Sequence, residues 1–204
     1  YGLLRSPGMP RKSAPRAAAT STGRSSQKDA FVLDATQASS FRRRLHRWYR
    51  ANARDLPWRR TRDPYRILIS ELMLQQTQVI RVLDFYSRFL DRFPDLPTLA
   101  KAQRKRVMEA WSGLGYYARA RNLHRAACIV AAQRGGRFPD TAPELARLPG
   151  LGRSSAAAIA AFAFRRREAI LDGNAKRVFA RCFGVEGYTG ARAVEARLWR
   201  IAAR

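Results

Sequence analysis

Between Leu148 and Asn174 the chain reads LPGLGRSSAAAIAAFAFRRREAILDGN, and this run restricts the fold more than any other. Two glycines, Gly150 and Gly152, flank a single leucine between two helical patterns. Glycine adopts backbone angles closed to other residues and has no side chain in the way. Leu148 to Gly152 therefore predicts a tight turn joining two helices, with both glycines in such conformations. The helix after the turn, Ser154 to Phe164, is made of small residues, and its first N–H groups are bare. Those groups and the helix dipole favour a phosphate, and Arg153 adds charge. An ordinary interhelical corner with glycine as a cap uses the same letters. The rest of the chain has to separate the two.

From Ser39 onward every periodic segment has helical spacing. Phe41, Leu45, Trp48 and Tyr49 share one face. Leu56-Pro57-Trp58-Arg59 breaks that helix, and Asp63-Pro64 opens the next, with Asp as cap and Pro in the first turn. Helices are expected over Tyr65 to Gln78 and Val79 to Phe93, the latter closed by Pro94 and Pro97. Others end at Gly113, run from Tyr117 to Arg134, and follow Thr141 as a cap. The last two run from Asp172 to about Phe183 and from Ala191 to Ala203. No segment alternates with period two, so the expected class is all-α.

The 204 residues include 40 Lys and Arg against 15 Asp and Glu, a net charge of +25. Such a balance points first to nucleic acid and second to an anionic membrane, although an arginine-rich composition can raise it without either. No run is long and apolar enough to span a bilayer, and no secretory signal is visible. Cys128 and Cys182 lack metal-site spacing and suit a reducing, intracellular setting. Residues 1–36 are rich in Arg, Ser, Ala and Pro and predict a disordered basic tail.

Two carboxylates stand out. Glu71 sits inside Ile67 to Leu74, a segment apolar nearly all round and so buried. Burial raises a carboxyl pKa and makes a candidate general acid, unless an arginine pairs with it. Asp172 begins a helix, where N–H groups and the dipole stabilise an anion. Asp is also a common cap with no further role. Two acids in unlike settings suit the breaking of a glycosidic bond. Gln75 and Gln76, at the end of the Glu71 helix, are candidates to touch bases. Gly113-Leu114-Gly115-Tyr116-Tyr117 predicts an aromatic turn whose tip could wedge into a base stack. Trp58 and Arg59 lie beside the Glu71 helix, where Trp58 could stack on an extruded base. His46 and His124 stand alone and suggest no metal.

The runs DPYRILISELMLQQTQV, WSGLGYYARARNLHRAA, LPGLGRSSAAAIAAFAF and ILDGNAKRVFARCFGV together resemble the MutY-type adenine DNA glycosylases of the helix–hairpin–helix base-excision repair superfamily. The resemblance covers residues 40–204. It implies two helical lobes with the active site in the cleft between them. One is a six-helix barrel over residues 56–167, and the other joins 37–55 to 168–204. It implies removal of adenine mispaired with 8-oxoguanine or guanine in double-stranded DNA, by a monomer. Glu71 would protonate the adenine ring, Asp172 would stabilise the sugar cation, and Asn174 would support Asp172. Trp58 and Arg59 match pocket residues, and Gln75, Leu114 and Tyr116 match residues that probe the gap and the opposing base. Gly150, Gly152 and Arg153 keep the phosphate-clamp reading given above, and Lys176, close to Asp172, could trap an abasic site incidentally or simply contact a phosphate. Ser154 stands where endonuclease III-type relatives place a nucleophilic lysine, so the implied enzyme is monofunctional rather than a lyase. The family carries a [4Fe-4S] cluster on four cysteines after the last helix, followed by a domain that reads 8-oxoguanine. The sequence stops at Arg204, before both. The expectation is a chain without cluster ligands, with weakened mismatch discrimination or binding alone.

Overall fold

The computed structural model describes residues 34–204. The tail expected over residues 1–36 lies outside them up to residue 33, and its last residues belong to a helix. Asp34 caps α1 (Ala35–Asn52): its carboxylate accepts the Gln37 N–H at 2.7 Å, and the Gln37 side chain accepts the Asp34 N–H at 3.2 Å. This reciprocal capping box fixes the start earlier than the apolar spacing suggests. A 3-10 turn (Pro57–Arg59) leads to α2 (Pro64–Leu74), α3 (Val79–Arg92), α4 (Leu96–Lys101) and α5 (Arg104–Ala110). Then come α6 (Ala118–Arg134), α7 (Ala142–Leu145), α8 (Arg153–Phe164), α9 (Gly173–Cys182) and α10 (Arg192–Ala202). The described residues contain no strand, and the class is all-α. No helix among them is long and apolar enough to cross a membrane.

Three local expectations change. Pro97 does not merely close a helix; it lies in the first turn of α4, capped by Asp95 through the Thr98 N–H at 2.8 Å. Proline is tolerated there because that N–H has no helical partner anyway. The Glu71 helix stops at Leu74 rather than Gln78, because Gln76 turns left-handed at φ 56°. Thr141 makes no backbone cap bond, and its hydroxyl donates to the Glu144 carboxylate at 3.1 Å.

The buried apolar side chains form two clusters. The larger is centred on α2, whose Ile67, Leu68, Ile69, Leu72 and Met73 are at most 2% exposed. Residues of α3 to α8 pack around it, among them Phe89, Leu99, Val107, Leu123, Leu145 and Ile159. α8 presents Ala156 and Ala160 to this core, and alanine lets two helix backbones approach closely. The smaller cluster holds Leu171, Phe183, Val185 and Leu198, with Phe41 and Phe179 against it. Phe183 meets Phe41 at 5.3 Å and Phe179 at 5.8 Å between ring centroids. Side chains from both ends of the described chain thus meet in one place.

Candidate active site

Asp63 and Pro64 start α2, the Asp63 carboxylate accepting the Tyr65 N–H at 2.9 Å. Apolar residues fall on almost every face of this 11-residue helix, and Glu71 rides within it. Its carboxyl opens on a cleft of ≈ 640 Å³ lined by Trp58, Arg59, Ile67, Ser70, Leu74 and Phe162, with Tyr49 of α1 also in the wall. That volume is in the range of small-molecule sites. Trp58 is held edge-on to Tyr86 at 5.3 Å and 74°. The Arg59 guanidinium lies 5.6 Å over the Tyr49 ring and donates to the Arg54 carbonyl at 3.1 Å. Burial, and then the charge of Asp172, push the Glu71 carboxyl up to about 7. No arginine forms an ion pair with Glu71 among the described residues. The alternative of a buried structural salt bridge therefore fails. What remains is a carboxylic acid able to hold and give a proton near neutral pH.

Asp172 caps α9, accepting the Ala175 N–H at 2.7 Å. Asn174 Nδ2 donates to its other oxygen at 3.4 Å, and Arg177 donates to Asn174 Oδ1 at 2.5 Å. The preceding residue, Leu171, is buried, and its N–H donates to Ser154 Oγ at 3.2 Å. Ser154 thus joins the first turn of α8 to the segment that presents Asp172. The aspartate is exposed and stands outside the wall of the Glu71 cleft, but its charge reaches the Glu71 carboxyl.

In the hairpin only one glycine is conformationally required. Gly150 has φ 83°, and a Cβ there would sit 2.7 Å from Asn122 Cβ. Gly152 has φ −84° and ψ 174° with nothing within 4 Å of an added Cβ, so the expectation of special angles at both glycines is corrected. Gly150→Ala is expected to cost about 1–3 kcal/mol through strain and overlap, visible as a lowered melting temperature and weakened duplex binding. Gly152→Ala should shift both by less. Equal effects at the two sites would mean that the close approach to Asn122 is not what the hairpin depends on.

The cations expected beside the hairpin and beside Asp172 already have partners. Arg153 lies 3.8 Å over the Trp199 ring of α10, and Lys176 Nζ is 2.6 Å from Glu195 Oε1. Gln75 reaches across to the hairpin through long contacts, 3.4 Å to the Gly150 carbonyl and 3.5 Å to Ser155 Oγ. Gln76 is exposed. Leu114 is only 4% exposed and packs in the main core, so it does not form the exposed tip of its turn. Tyr116 does: it is 59% exposed and left-handed at φ 49°.

One residue was invisible in the sequence. Arg119 looks like a surface arginine of α6, yet it is 6% exposed. Its Nη1 donates to the carbonyls of Leu72, Met73 and Gln75 at 3.0, 2.7 and 2.5 Å. Its Nη2 donates to those of Leu114 and Gly115 at 3.5 and 3.1 Å. The guanidinium also lies 5.5 Å from the Trp111 ring centroid and 5.1 Å from that of Tyr116. It satisfies the last carbonyls of the Glu71 helix, which have no helical partner, and fastens the aromatic turn to them. Tyr49 and Phe162 were missed too, because each looks like one more apolar residue on a helix. Cys128 Sγ lies 3.5 Å from the Ala100 carbonyl, and Cys182 is exposed on α9.

Fold and hairpin together define a helix–hairpin–helix protein. Residues 69–204 match the family described as the HhH-GPD superfamily of base excision DNA repair proteins, and the chain belongs to it. It is 42% identical over 154 residues to an adenine DNA glycosylase of Buchnera aphidicola, covering 75% of this chain and 43% of that protein. It is 39% identical over 178 residues to the adenine DNA glycosylase of Homo sapiens, covering 83% and 33%. The chain thus spans less than half the length of these curated relatives. Among solved structures it resembles a thermostable thymine-DNA glycosylase, with TM-score 0.74 and 31% identity over 83% of this chain and 79% of that one. An endonuclease III–DNA complex, at TM-score 0.67 and 19% identity over 84% of each chain, shares the fold.

Proposed function

We propose that this chain is the catalytic part of an adenine DNA glycosylase, which hydrolyses the N-glycosidic bond of adenine paired with 8-oxoguanine or guanine. The observation that carries the reading is Glu71: one protonatable carboxyl in an aromatic-walled cleft, with an anion, Asp172, near enough to act on it. An extruded adenine fits between Trp58 and the apolar wall. Base extrusion costs a few kcal/mol and is cheapest at a mismatch. Glu71 gives its proton to the adenine ring, and the bonding pair of the glycosidic bond leaves with the base. Asp172 faces the cationic sugar, oriented by Asn174, and water adds at the sugar carbon. The exposed Tyr116 and the adaptable Gln75 suit the gap and the opposing base. The carboxylic acids and the N-cap geometry support this reading, as do the adenine-specific relatives.

Monofunctional chemistry is part of the proposal. Ser154 cannot form an imine, and its oxygen already accepts a backbone N–H. Lys176 is held by Glu195. The test is single-turnover release from duplexes holding adenine opposite 8-oxoguanine, with thymine opposite guanine as the rival suggested by the thymine-specific neighbour. Adenine release without strand cleavage, and without borohydride trapping through a lysine, supports the proposal. Thymine release in its place overturns it.

The pH dependence follows from the sign of the Glu71 shift. The proton donor must be protonated, and its carboxyl sits at about 7. Under saturating single-turnover conditions the rate should be flat below about pH 6 and fall about tenfold per unit well above 7. Bound phosphates add negative charge and move the fall upward, not downward. A rate that rises through pH 7 would assign Glu71 the opposite role, that of a base.

A further inference from the structure

We propose that the face of α10 beside the hairpin is a second phosphate-binding surface, which takes two phosphodiesters of one strand of duplex DNA. The proposal rests on the chain's acting on DNA, but not on which base it removes. A groove of ≈ 540 Å³ lies between the start of α8 and α10, lined by Arg153, Arg192, Glu195, Ala196, Trp199 and Arg200. Arg192 and Arg200 are two turns apart with Ala196 between them, so they share one side of the helix. The small Ala196 leaves the space between them open.

The charge in the groove is lopsided. Its one carboxylate, Glu195, is matched by Lys176 at 2.6 Å, and that bond holds the carboxyl below its usual range. Arg153, Arg192 and Arg200 have no ion-pair partner among the described residues. Among the described residues, three guanidiniums therefore line a groove whose one acid is already paired. Arg153 is laid over Trp199 at 3.8 Å, which orders it before any ligand arrives. Planar guanidiniums bind phosphate through paired N–H donors. Arg192 and Arg200 are about 12 Å apart along the helix axis, far enough to reach different phosphates of one strand. The groove begins where the hairpin ends, so a backbone leaving the hairpin continues into it.

The experiment compares two double variants with equal loss of charge: Arg192→Gln with Arg200→Gln on α10, and Arg104→Gln with Arg106→Gln on α5. All four arginines are exposed, so both proteins should fold, which their melting temperatures check. Binding to an undamaged duplex is followed by fluorescence anisotropy over about 50–200 mM salt. The α10 pair should weaken binding about tenfold and make the slope of log K against log salt shallower by about 1.8, or 0.9 for each lost phosphate contact. The α5 pair should change the slope by much less. Equal slope changes in both pairs would reduce the effect to bulk charge, and no change in the α10 pair would remove the site; either overturns the proposal. If slopes change as expected but the parent releases no adenine, the glycosylase reading falls and the α10 site stands.

Discussion

Glu71→Gln should bind an adenine mismatch duplex as tightly as the parent and release adenine at least about a hundredfold more slowly. Glutamine has the size of a protonated glutamic acid and no charge, so the cleft keeps its shape and its field. What it lacks is a proton to give. The same variant carries a stability signature that an indirect structural effect would not reproduce. The folded carboxyl sits at about 7 against an ordinary value of 4.5. The raised value means that the stability linked to the proton is full below pH 4.5 and is lost as pH rises through 7. A shift of this size is worth on the order of 3 kcal/mol where the group is mostly desolvated. Glu71→Gln carries no such loss. It should therefore melt higher than the parent at pH 8, with the gap closing towards pH 5. Release at the parental rate would end the assignment of Glu71 as the acid. Equal melting at pH 8 would mean that its carboxyl is not desolvated.

Arg119→Met should destabilise the protein by about 3 kcal/mol or more, since it leaves buried carbonyls without donors. For a domain of this length that is a drop of about 6–12 °C in melting temperature. Methionine matches much of the side-chain bulk, so the loss reports the hydrogen bonds and not a cavity. Two left-handed non-glycine residues flank the contacts of this arginine, Gln76 after α2 and Tyr116 in the aromatic turn. Such conformations persist only where surrounding structure holds them. Without Arg119 both should relax, and kcat/KM should fall further than the fraction of folded protein accounts for. Arg119→Lys should recover less than half of the stability, because a compact ammonium cannot span carbonyls on two segments. Thermal melts of the three proteins at one pH decide the matter. A Met variant within about 1 kcal/mol of the parent would show that the carbonyls find water instead.

Much of the architecture was readable before any coordinates. Helical spacing, Asp-Pro starts and glycine stops are local signals, and they put α2, α6, α8, α9 and α10 within a few residues of their observed limits. The misreadings were also local in appearance but not in cause. The α2 helix ends early where Gln76 turns left-handed, and the carbonyls freed there are taken by an arginine from α6, far along the chain. Leu114 looks like a wedge between two glycines, but the core claims it and Tyr116 carries the exposure. Gly150 and Gly152 are indistinguishable as letters. Only the position of Asn122 makes one of them irreplaceable.

The sequence by itself determined the helical class, the hairpin, the acid in an apolar helix and the aspartate at a helix start. Each is a matter of residue type and spacing along a few turns. Only the tertiary structure decided that Glu71 has no cationic partner among the described residues, that Asp172 is near enough to shift it, and that Arg153 and Lys176 already lean on α10. The physical reason is that pairing, desolvation and Coulomb coupling depend on distances through space. Those distances join residues a hundred positions apart and leave no periodic trace in the chain.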